Sequence, residues 1–209
     1  ATNCVTPIRD CMADSVPVVL ITGQVPTGAM GTDAFQEAPI VNIMGSCAKH
    51  VFLVTKPEEL EATVRTAFEV ARSGRPGPVV VDVPKDMQNA VVPFQGEGLL
   101  PIRGYRQRLE SLRSARLSDR KCKQFFELLS RSERPLLYVG GGIISGNASE
   151  ELRAFAKAFN IPVVTTLMGL GAIDTTDELA MHMLGMHGAA YANYAVEDCD
   201  FLIAVGARF

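Results

Sequence analysis

Residues 16–37 read VPVVLITGQVPTGAMGTDAFQE. The first eight residues form an apolar run that ends at Gly23, which is typical of a strand buried on both faces of a parallel sheet. The segment after it is rich in glycine and other small residues, and it closes with the run Phe35–Glu37. In open α/β sheets, ligands bind beyond the carboxyl ends of such strands. The stretch therefore predicts an α/β fold with a ligand site in the loop that follows this strand.

Strand-like runs alternate with helix-like segments along the rest of the chain. This alternation indicates parallel sheets flanked by helices, the α/β fold class. The other expected strands read HVFLVT (50–55), GPVVVDVPKD (77–86), PLLYVGGG (135–142), IPVVTTL (161–167) and DFLIAVGAR (200–208). The expected helices lie at Thr2–Ala13, 55–74, Ser118–Ser130, 148–159 and 189–196.

Capping signals and periodicity refine three of these helices. Thr55 and Glu58 have the spacing of a capping box, and Ser118 and Asn147 precede the two later helices as N-caps. The residues that periodicity places on the buried faces are Leu60, Val64, Ala67, Phe68 and Ala71 in helix 55–74, and Leu152, Phe155, Ala156 and Phe159 in helix 148–159.

The composition argues against several classes of protein. The 209 residues are 47% hydrophobic, which suffices for a core, and the net charge of −3 argues against a dedicated nucleic-acid binder. No apolar run reaches the roughly 18 residues of a membrane span, and no signal peptide is recognisable. The five cysteines are scattered without CxxC spacing. We therefore expect reduced thiols in a cytosolic-type compartment and no metal site.

The periodic pattern disappears between residues 90 and 117, where arginines, prolines and glycines accumulate. This composition predicts an interdomain linker, with one domain at residues 1–89 and a second at 118–209. The chain also begins within an expected helix and stops just after an expected strand. We therefore expect it to be a fragment of a longer protein.

Small residues follow three expected strands of the second domain. Because parallel strands end at the same edge of a sheet, we expect these segments to lie side by side and to admit a nucleotide cofactor. Arg208 would add a guanidinium group for a phosphate. The first triplet alone is equally compatible with a tight turn, since no glycine follows at the spacing of a dinucleotide fingerprint. The segments are Gly140, Gly141 and Gly142; Thr165, Thr166, Leu167, Met168 and Gly169; and Gly206, Ala207 and Arg208.

Other polar residues have two interpretations each. Gln36 offers an amide for a polar substrate beside the apolar ring of Phe35, whereas the preceding Thr32 or Asp33 would equally serve as a helix N-cap. Lys49 would face either a carboxylate substrate or solvent. His187 lies among glycines, which suggests close approach of the backbone to a flat group, and no second ligand stands at metal-binding spacing from it.

Five motifs together resemble the acetolactate synthase family of thiamine-diphosphate enzymes. The motifs SGRPGPV and PKD recur across thiamine-diphosphate enzymes, whereas GTDAFQE and LGMHG are much more specific to this family. The resemblance covers nearly the whole chain and is weakest in residues 90–117. It rests on GQVPTGAMGTDAFQE (23–37), SGRPGPVVVDVPKD (73–86), TTLMGLGA (165–172), LGMHGAAYANYAV (184–196) and AVGARF (204–209).

The resemblance implies parts of two consecutive domains. Residues 1–89 would be the later half of the domain that binds the cofactor's pyrimidine, and residues 118–209 the first half of a central FAD-binding domain. The implied reaction decarboxylates pyruvate and joins the product to a second 2-ketoacid in branched-chain amino acid biosynthesis. Phe35, Gln36 and Lys49 would lie on the substrate side of a cleft at a dimer interface. The activating glutamate and the Mg²⁺ ligands would lie outside this chain.

FAD, the second implied cofactor, has a largely structural role in this family. The residues that the resemblance nominates for it are Arg108, Gly140, Gly141, Gly142, Thr166, Leu167, Met168, Leu184, Gly185, Met186, His187, Gly206, Ala207 and Arg208.

The expected partners are pyruvate, 2-ketobutyrate, further copies of the chain in a dimer or tetramer, and a small regulatory subunit. Nucleic acid and membrane are not expected as partners. The location would be the bacterial cytoplasm or the plastid stroma. Two alternatives remain: another FAD-containing thiamine-diphosphate enzyme, of the glyoxylate carboligase or pyruvate oxidase type, and a non-catalytic FAD-binding relative. The reaction product separates the first alternative from acetolactate synthase, and the presence of the activating glutamate separates the second.

Overall fold

A computed structural model describes all residues from Ala1 to Phe209. The chain divides into two compact units, Ala1–Ala115 and Arg116–Phe209. Each unit contains one parallel β-sheet with helices packed against it. The predicted α/β class is therefore confirmed. None of the helices has the length and apolar character of a membrane span.

The first unit is built on a three-stranded parallel sheet of order β1-β3-β2. Its strands are β1 (Val19–Gln24), β2 (His50–Leu53) and β3 (Val79–Pro84), and its α-helices are α1 (Val5–Asp14), α2 (Ile40–Gly45), α3 (Leu60–Arg72), α4 (Lys85–Asn89) and α5 (Tyr105–Ser114). All six residues of β3 are buried. Val79, Val81 and Val83 pack with α3 on one face, while Val80 packs with α1 and α2 on the other. The central strand thus carries the continuous apolar run that burial on both faces requires.

The strand β1 differs from its prediction. It lies at the edge of the sheet, and the Ile21 side chain is 57% exposed. The expectation that this run is buried on both faces is therefore wrong for the described chain. An apolar run indicates a strand that is at least partly buried. It does not indicate whether that strand lies at the centre or at the edge of the sheet.

The start and the buried face of α3 also differ from their predictions. A 3-10 turn at Pro57–Glu59 delays the helix, Glu59 is its N-cap, and no side chain caps it, so the Thr55–Glu58 capping box is wrong. Phe68, expected to be buried, is 54% exposed. Ala67 and Ala71 are buried as expected, and Thr63, Thr66 and Val70 are buried although they were not expected to be. The two threonine hydroxyl groups donate to the carbonyl groups four residues earlier, at 2.7 Å, which permits their burial.

Residues 90–115 lie within the first unit and contain α5, a helix that the sequence did not predict. The segment is held against α3, because the N–H groups of Gln95 and Gly96 donate to the Glu61 carboxylate at 2.8 Å. The bond from Arg65, followed by these amides, lowers the pKa of Glu61 below its ordinary value. The assignment of residues 1–89 and 118–209 to two domains of a larger enzyme stays a prediction.

The second unit is built on a four-stranded parallel sheet of order β6-β5-β4-β7. Its strands are β4 (Pro135–Val139), β5 (Val163–Thr165), β6 (Ala180–Met183) and β7 (Phe201–Val205), and its α-helices are α6 (Asp119–Arg131), α7 (Gly142–Ser145), α8 (Ser149–Phe159) and α9 (Ala190–Asp198). Three of the four strands were expected, and β6 was not. Its residues AMHM are all only partly buried, so they show no clean alternation.

Of the N-caps expected in this unit, one is confirmed and one is wrong. The Ser118 hydroxyl accepts the N–H of Lys121 at 3.4 Å and caps α6 as predicted. The N-cap of α8 is Ala148, while Asn147 adopts a left-handed backbone with φ 52° and makes no capping bond. On the buried face of α8, Leu152 and Ala156 are buried as expected, but Phe159 is 44% exposed.

Candidate functional site

The loop after β1 in the first unit, residues 25–37, is fastened at its base by a buried carboxylate. Asp82 on β3 is fully buried. It accepts the Thr22 hydroxyl at 2.7 Å and the Gln24 side-chain amide at 3.1 Å. The same Gln24 amide also donates to the Ala38 carbonyl at 2.8 Å. Both ends of the loop are therefore joined over the carboxyl end of the central strand.

A second carboxylate fastens the middle of this loop. The N–H and hydroxyl groups of Thr27 donate to the two oxygens of Asp86 on α4. The bond from the Thr27 hydroxyl is the largest of the effects that lower the pKa of Asp86. The loop is thus attached to the segment VDVPKD (81–86), which is distant from it in sequence but adjacent in space.

The tip of the loop presents Phe35 and Gln36 outward. Phe35 is 89% exposed, and Gln36 is exposed with a left-handed backbone of φ 66°. An exposed ring next to an exposed amide offers an apolar wall and a hydrogen-bonding group to a ligand. The alternative that Thr32 or Asp33 caps a helix is wrong, because the next helix is α2 with Pro39 as its N-cap.

Lys49 does not face solvent, which was one of the two environments expected for it. Its ammonium group donates to the carbonyl groups of Val70 and Ser73, the latter at 2.6 Å, at the C-terminal end of α3. Burial lowers the pKa of this lysine. The expectation that Lys49 faces solvent is wrong, and a role at the substrate stays a prediction. The structure shows a cation that satisfies carbonyl groups at a helix end.

Replacing Lys49 by methionine should therefore destabilise the first unit by about 1–2 kcal/mol, since two carbonyl groups lose a charged donor while the aliphatic stem is kept. Chemical denaturation of the 209-residue chain measures the effect. Lys56→Met is the matched control, because Lys56 is 67% exposed and pairs only with Glu59 at 3.1 Å. Equal stability losses in the two variants would refute the structural role assigned to Lys49.

The second unit brings the three predicted glycine-containing segments to one edge, as expected. The strands β5, β4 and β7 are adjacent and parallel, and Val139 pairs with both Thr165 and Val205 at their ends. The Gly140 N–H donates to the Val205 carbonyl at 3.0 Å, and the Thr166 N–H donates to the Val139 carbonyl at 2.8 Å. The segments that follow these strands therefore lie side by side.

Glycine is required at this edge because the segments approach one another closely. A Cβ atom on Gly142 would lie 2.7 Å from the Cα atom of Gly206, and one on Gly141 would lie 2.9 Å from the Cβ atom of Met168. Gly206 itself has a left-handed backbone with φ 62°. These glycines are therefore needed for close packing between the segments that follow the strands. This requirement holds whether or not a ligand binds at the edge.

A fourth strand brings the LGMHG motif to the same edge. The strand β6 pairs in parallel with β5, and Leu184 to His187 follow it directly. Asn193 on α9 holds this turn, since its side chain accepts the Gly185 N–H at 2.8 Å and donates to the Gly185 carbonyl at 3.1 Å. Reasoning from the strand ends alone missed these residues because β6 was not predicted. The glycines around His187 and the family resemblance are the signals that pointed to this segment.

The edge of the second unit is apolar at its surface. The side chains of Leu167, Met168 and Met186 are exposed. His187 and Arg208 are exposed beside them in the chain segments that form the edge. The Thr165 hydroxyl, at the end of β5, is buried without a hydrogen-bond partner. This combination of apolar side chains and a nearby guanidinium group suits a ligand with a flat ring and an anionic group.

Comparison with known proteins agrees with this architecture. Residues 122–209 match the family described as thiamine pyrophosphate enzyme, central domain. Over the whole chain the sequence is 51% identical to acetolactate synthase 2, chloroplastic, of Nicotiana tabacum. The matched region is therefore similar to the central domain of thiamine pyrophosphate enzymes. It is also 50% identical to the acetolactate synthase large subunit of Parasynechococcus marenigrum and 49% identical to that of Corynebacterium glutamicum, each over all of this chain.

The chain spans about a third of the length of these relatives, 31%, 33% and 32% respectively. The matched family region begins at Cys122 on α6 and runs through the whole glycine-containing edge. Arg108 lies outside that region, on α5 of the first unit, where its side chain is exposed. No local feature distinguishes it from the neighbouring arginines, and its role stays a prediction.

Proposed function

We propose that the chain forms part of the catalytic subunit of an acetolactate synthase. The enzyme would condense pyruvate with a second 2-ketoacid, pyruvate or 2-ketobutyrate, in branched-chain amino acid biosynthesis. The observation that carries the proposal is about 50% identity along the whole chain to acetolactate synthases of plants and bacteria. Because the chain spans about a third of their length, we expect it to be inactive by itself.

The first unit would provide the substrate-side wall of the catalytic cleft. Thiamine diphosphate, when bound, supplies the chemistry that decarboxylates one ketoacid and joins it to another. The exposed ring of Phe35 would exclude water from the reacting groups, and the Gln36 amide would hydrogen-bond the polar end of a ketoacid. The attachment of the loop to Asp82 and Asp86 supports this role, because a site must hold its contacts in place before the substrate arrives.

The edge of the second unit would hold FAD. The exposed side chains of Leu167, Met168 and Met186 fit a flat ring, and Arg208 fits a phosphate group. The structure contains no cluster of three metal-ligating side chains. On the family resemblance, we propose that Mg²⁺ and the diphosphate group are bound by residues outside this chain.

The proposed assembly is a homodimer or tetramer with the catalytic cleft at the dimer interface, which a small regulatory subunit would accompany. The relatives include chloroplastic and bacterial proteins. We accordingly propose the plastid stroma or the bacterial cytoplasm as its location.

A chimeric enzyme tests the proposed function. In the acetolactate synthase large subunit of Corynebacterium glutamicum, the matching residues are replaced by this chain, which is 49% identical to them. We expect the purified chimera to show flavin absorption and to form acetolactate from pyruvate when thiamine diphosphate, Mg²⁺ and FAD are supplied. Gln36→Ala in the chimera should lower kcat/KM for pyruvate about tenfold or more through the lost hydrogen bond.

The unaltered large subunit is the control for assay and cofactor loading. A chimera that folds, as judged by circular dichroism and thermal unfolding, but retains no flavin and forms no acetolactate would overturn the proposal. Unchanged kcat and KM in the Gln36→Ala variant would remove Gln36 from the substrate contacts while leaving the activity assigned.

A further inference from the structure

We infer that Glu37 is the positioning residue that fixes how the tip of the loop presents Phe35 and Gln36. The link to substrate rests on the proposed function, whereas the conformational role is independent of it. Glu37 stands at the end of the GTDAFQE motif, and neither periodicity nor the resemblance singled it out for a role.

The Glu37 carboxylate closes the tip of the loop on itself. One of its oxygens accepts the N–H of Gly31, and the other accepts the N–H of Ala34 at 3.2 Å. The N–H of Glu37 donates in turn to the Ala34 carbonyl at 2.9 Å. A single side chain thus joins both sides of the turn that carries Phe35.

This closed turn includes backbone conformations that are unfavourable for side-chain-bearing residues. Asp33 has φ 56° and Gln36 has φ 66°, both in the left-handed region. Such conformations are destabilising for residues with a side chain, so the turn needs compensating interactions to persist. Two hydrogen bonds to a charged carboxylate supply stabilisation of the required size.

The other anchors of the loop do not reach its tip. Asp82 binds the side chain of Gln24 at the base, and Asp86 binds Thr27 in the middle. Without the Glu37 carboxylate, the base and middle would remain attached, while the tip would keep only short-range bonds. These run from the Thr32 hydroxyl to the Ala29 carbonyl at 2.7 Å and from the Glu37 N–H to the Ala34 carbonyl. The ring of Phe35 and the amide of Gln36 would then sample other directions, although the surrounding sheet would stay folded.

Amide hydrogen exchange in the 209-residue chain tests the conformational role. Glu37→Gln keeps the size of the side chain but turns an NH₂ group toward one of the two N–H donors. We expect exchange at Gly31 and Ala34 to become about tenfold faster or more, because local opening no longer breaks bonds to a charge. The amides of β3 should keep their protection and so report that the unit remains folded.

Asp33→Asn is the matched control, since it removes one negative charge from the same turn and tolerates the left-handed backbone. Its exchange rates at Gly31 and Ala34 should equal those of the parent chain. Unchanged rates in Glu37→Gln, or equal acceleration in both variants, would overturn the inference.

The chimeric enzyme tests the connection to catalysis. Glu37→Gln should lower kcat/KM for pyruvate about tenfold with an unchanged thermal midpoint, and Glu37→Asp should recover part of the loss. If exchange accelerates but kcat and KM do not change, Glu37 fixes the turn without serving the reaction. A parent chimera that folds but retains no flavin and forms no acetolactate defeats the proposed function instead, and the exchange measurement then decides the conformational inference alone.

Discussion

Replacing Gly142 by alanine should destabilise the second unit by about 3 kcal/mol, with a fall of roughly 10 °C or more in its unfolding midpoint. The added Cβ atom would lie 2.7 Å from the Cα atom of Gly206 and 2.8 Å from its carbonyl oxygen. Both are backbone atoms at the end of β7, so no side chain can rotate away to make room. The N–H of Gly142 also donates to that Gly206 carbonyl at 2.9 Å, and separation of the segments would break this bond.

Thermal unfolding of the chain, followed by far-ultraviolet circular dichroism, measures this effect. Gly28→Ala is the control for the same chemical change, since a Cβ atom there meets nothing within 4 Å and the backbone is not left-handed. We expect the Gly28 variant to unfold like the parent. A Gly142 variant that does the same would show that the ends of β4 and β7 are not packed together as described.

Leu137→Ala should cost about 3 kcal/mol of stability, because it removes a fully buried side chain and leaves a cavity. Leu137 is 1% exposed on β4 and pairs with Val163 on β5 and with Ile203 on β7. It belongs to the main apolar cluster of the second unit. Because strands border it on both sides, the surrounding structure has little freedom to collapse into the space.

The matched control for this substitution is Leu128→Ala on α6, where the side chain is 54% exposed. That variant should change the free energy of unfolding by about 0.5 kcal/mol or less. Urea denaturation of both variants against the parent chain measures the difference. Similar losses in both would mean that Leu137 does not occupy the centre of the core.

Features that depend on residues close together in the chain were predictable from the sequence. The apolar runs at β3, β4, β5 and β7 correctly indicated strands, and Ser118 correctly marked the start of α6. The glycine-containing segments after β4, β5 and β7 were correctly expected to share an edge. This followed because parallel strands connected by helices must all point the same way.

Features that depend on contacts between residues far apart in the chain were not predictable from the sequence. The helix α5 has a weak apolar pattern, and its segment is held by contacts with α3, such as the bond from the Leu100 N–H to the Thr66 hydroxyl at 2.8 Å. The 3-10 turn at Pro57 displaced the start of α3 from its capping signal. The edge position of β1 likewise depends on which strand pairs with β3.

For the candidate sites, residue types and short-range spacing were enough to select the Phe35 loop and the glycine-containing strand ends. The tertiary structure then determined which side chains form contacts with one another. The Lys49 ammonium group reaches the end of α3, and the buried Asp82 carboxylate holds Gln24 on a neighbouring strand. Such pairings join residues far apart in the chain, and their energies arise only when packing removes water and brings donor and acceptor together. The amino-acid sequence shows each of these residues at its own position. It does not show which of them are in contact in the folded chain.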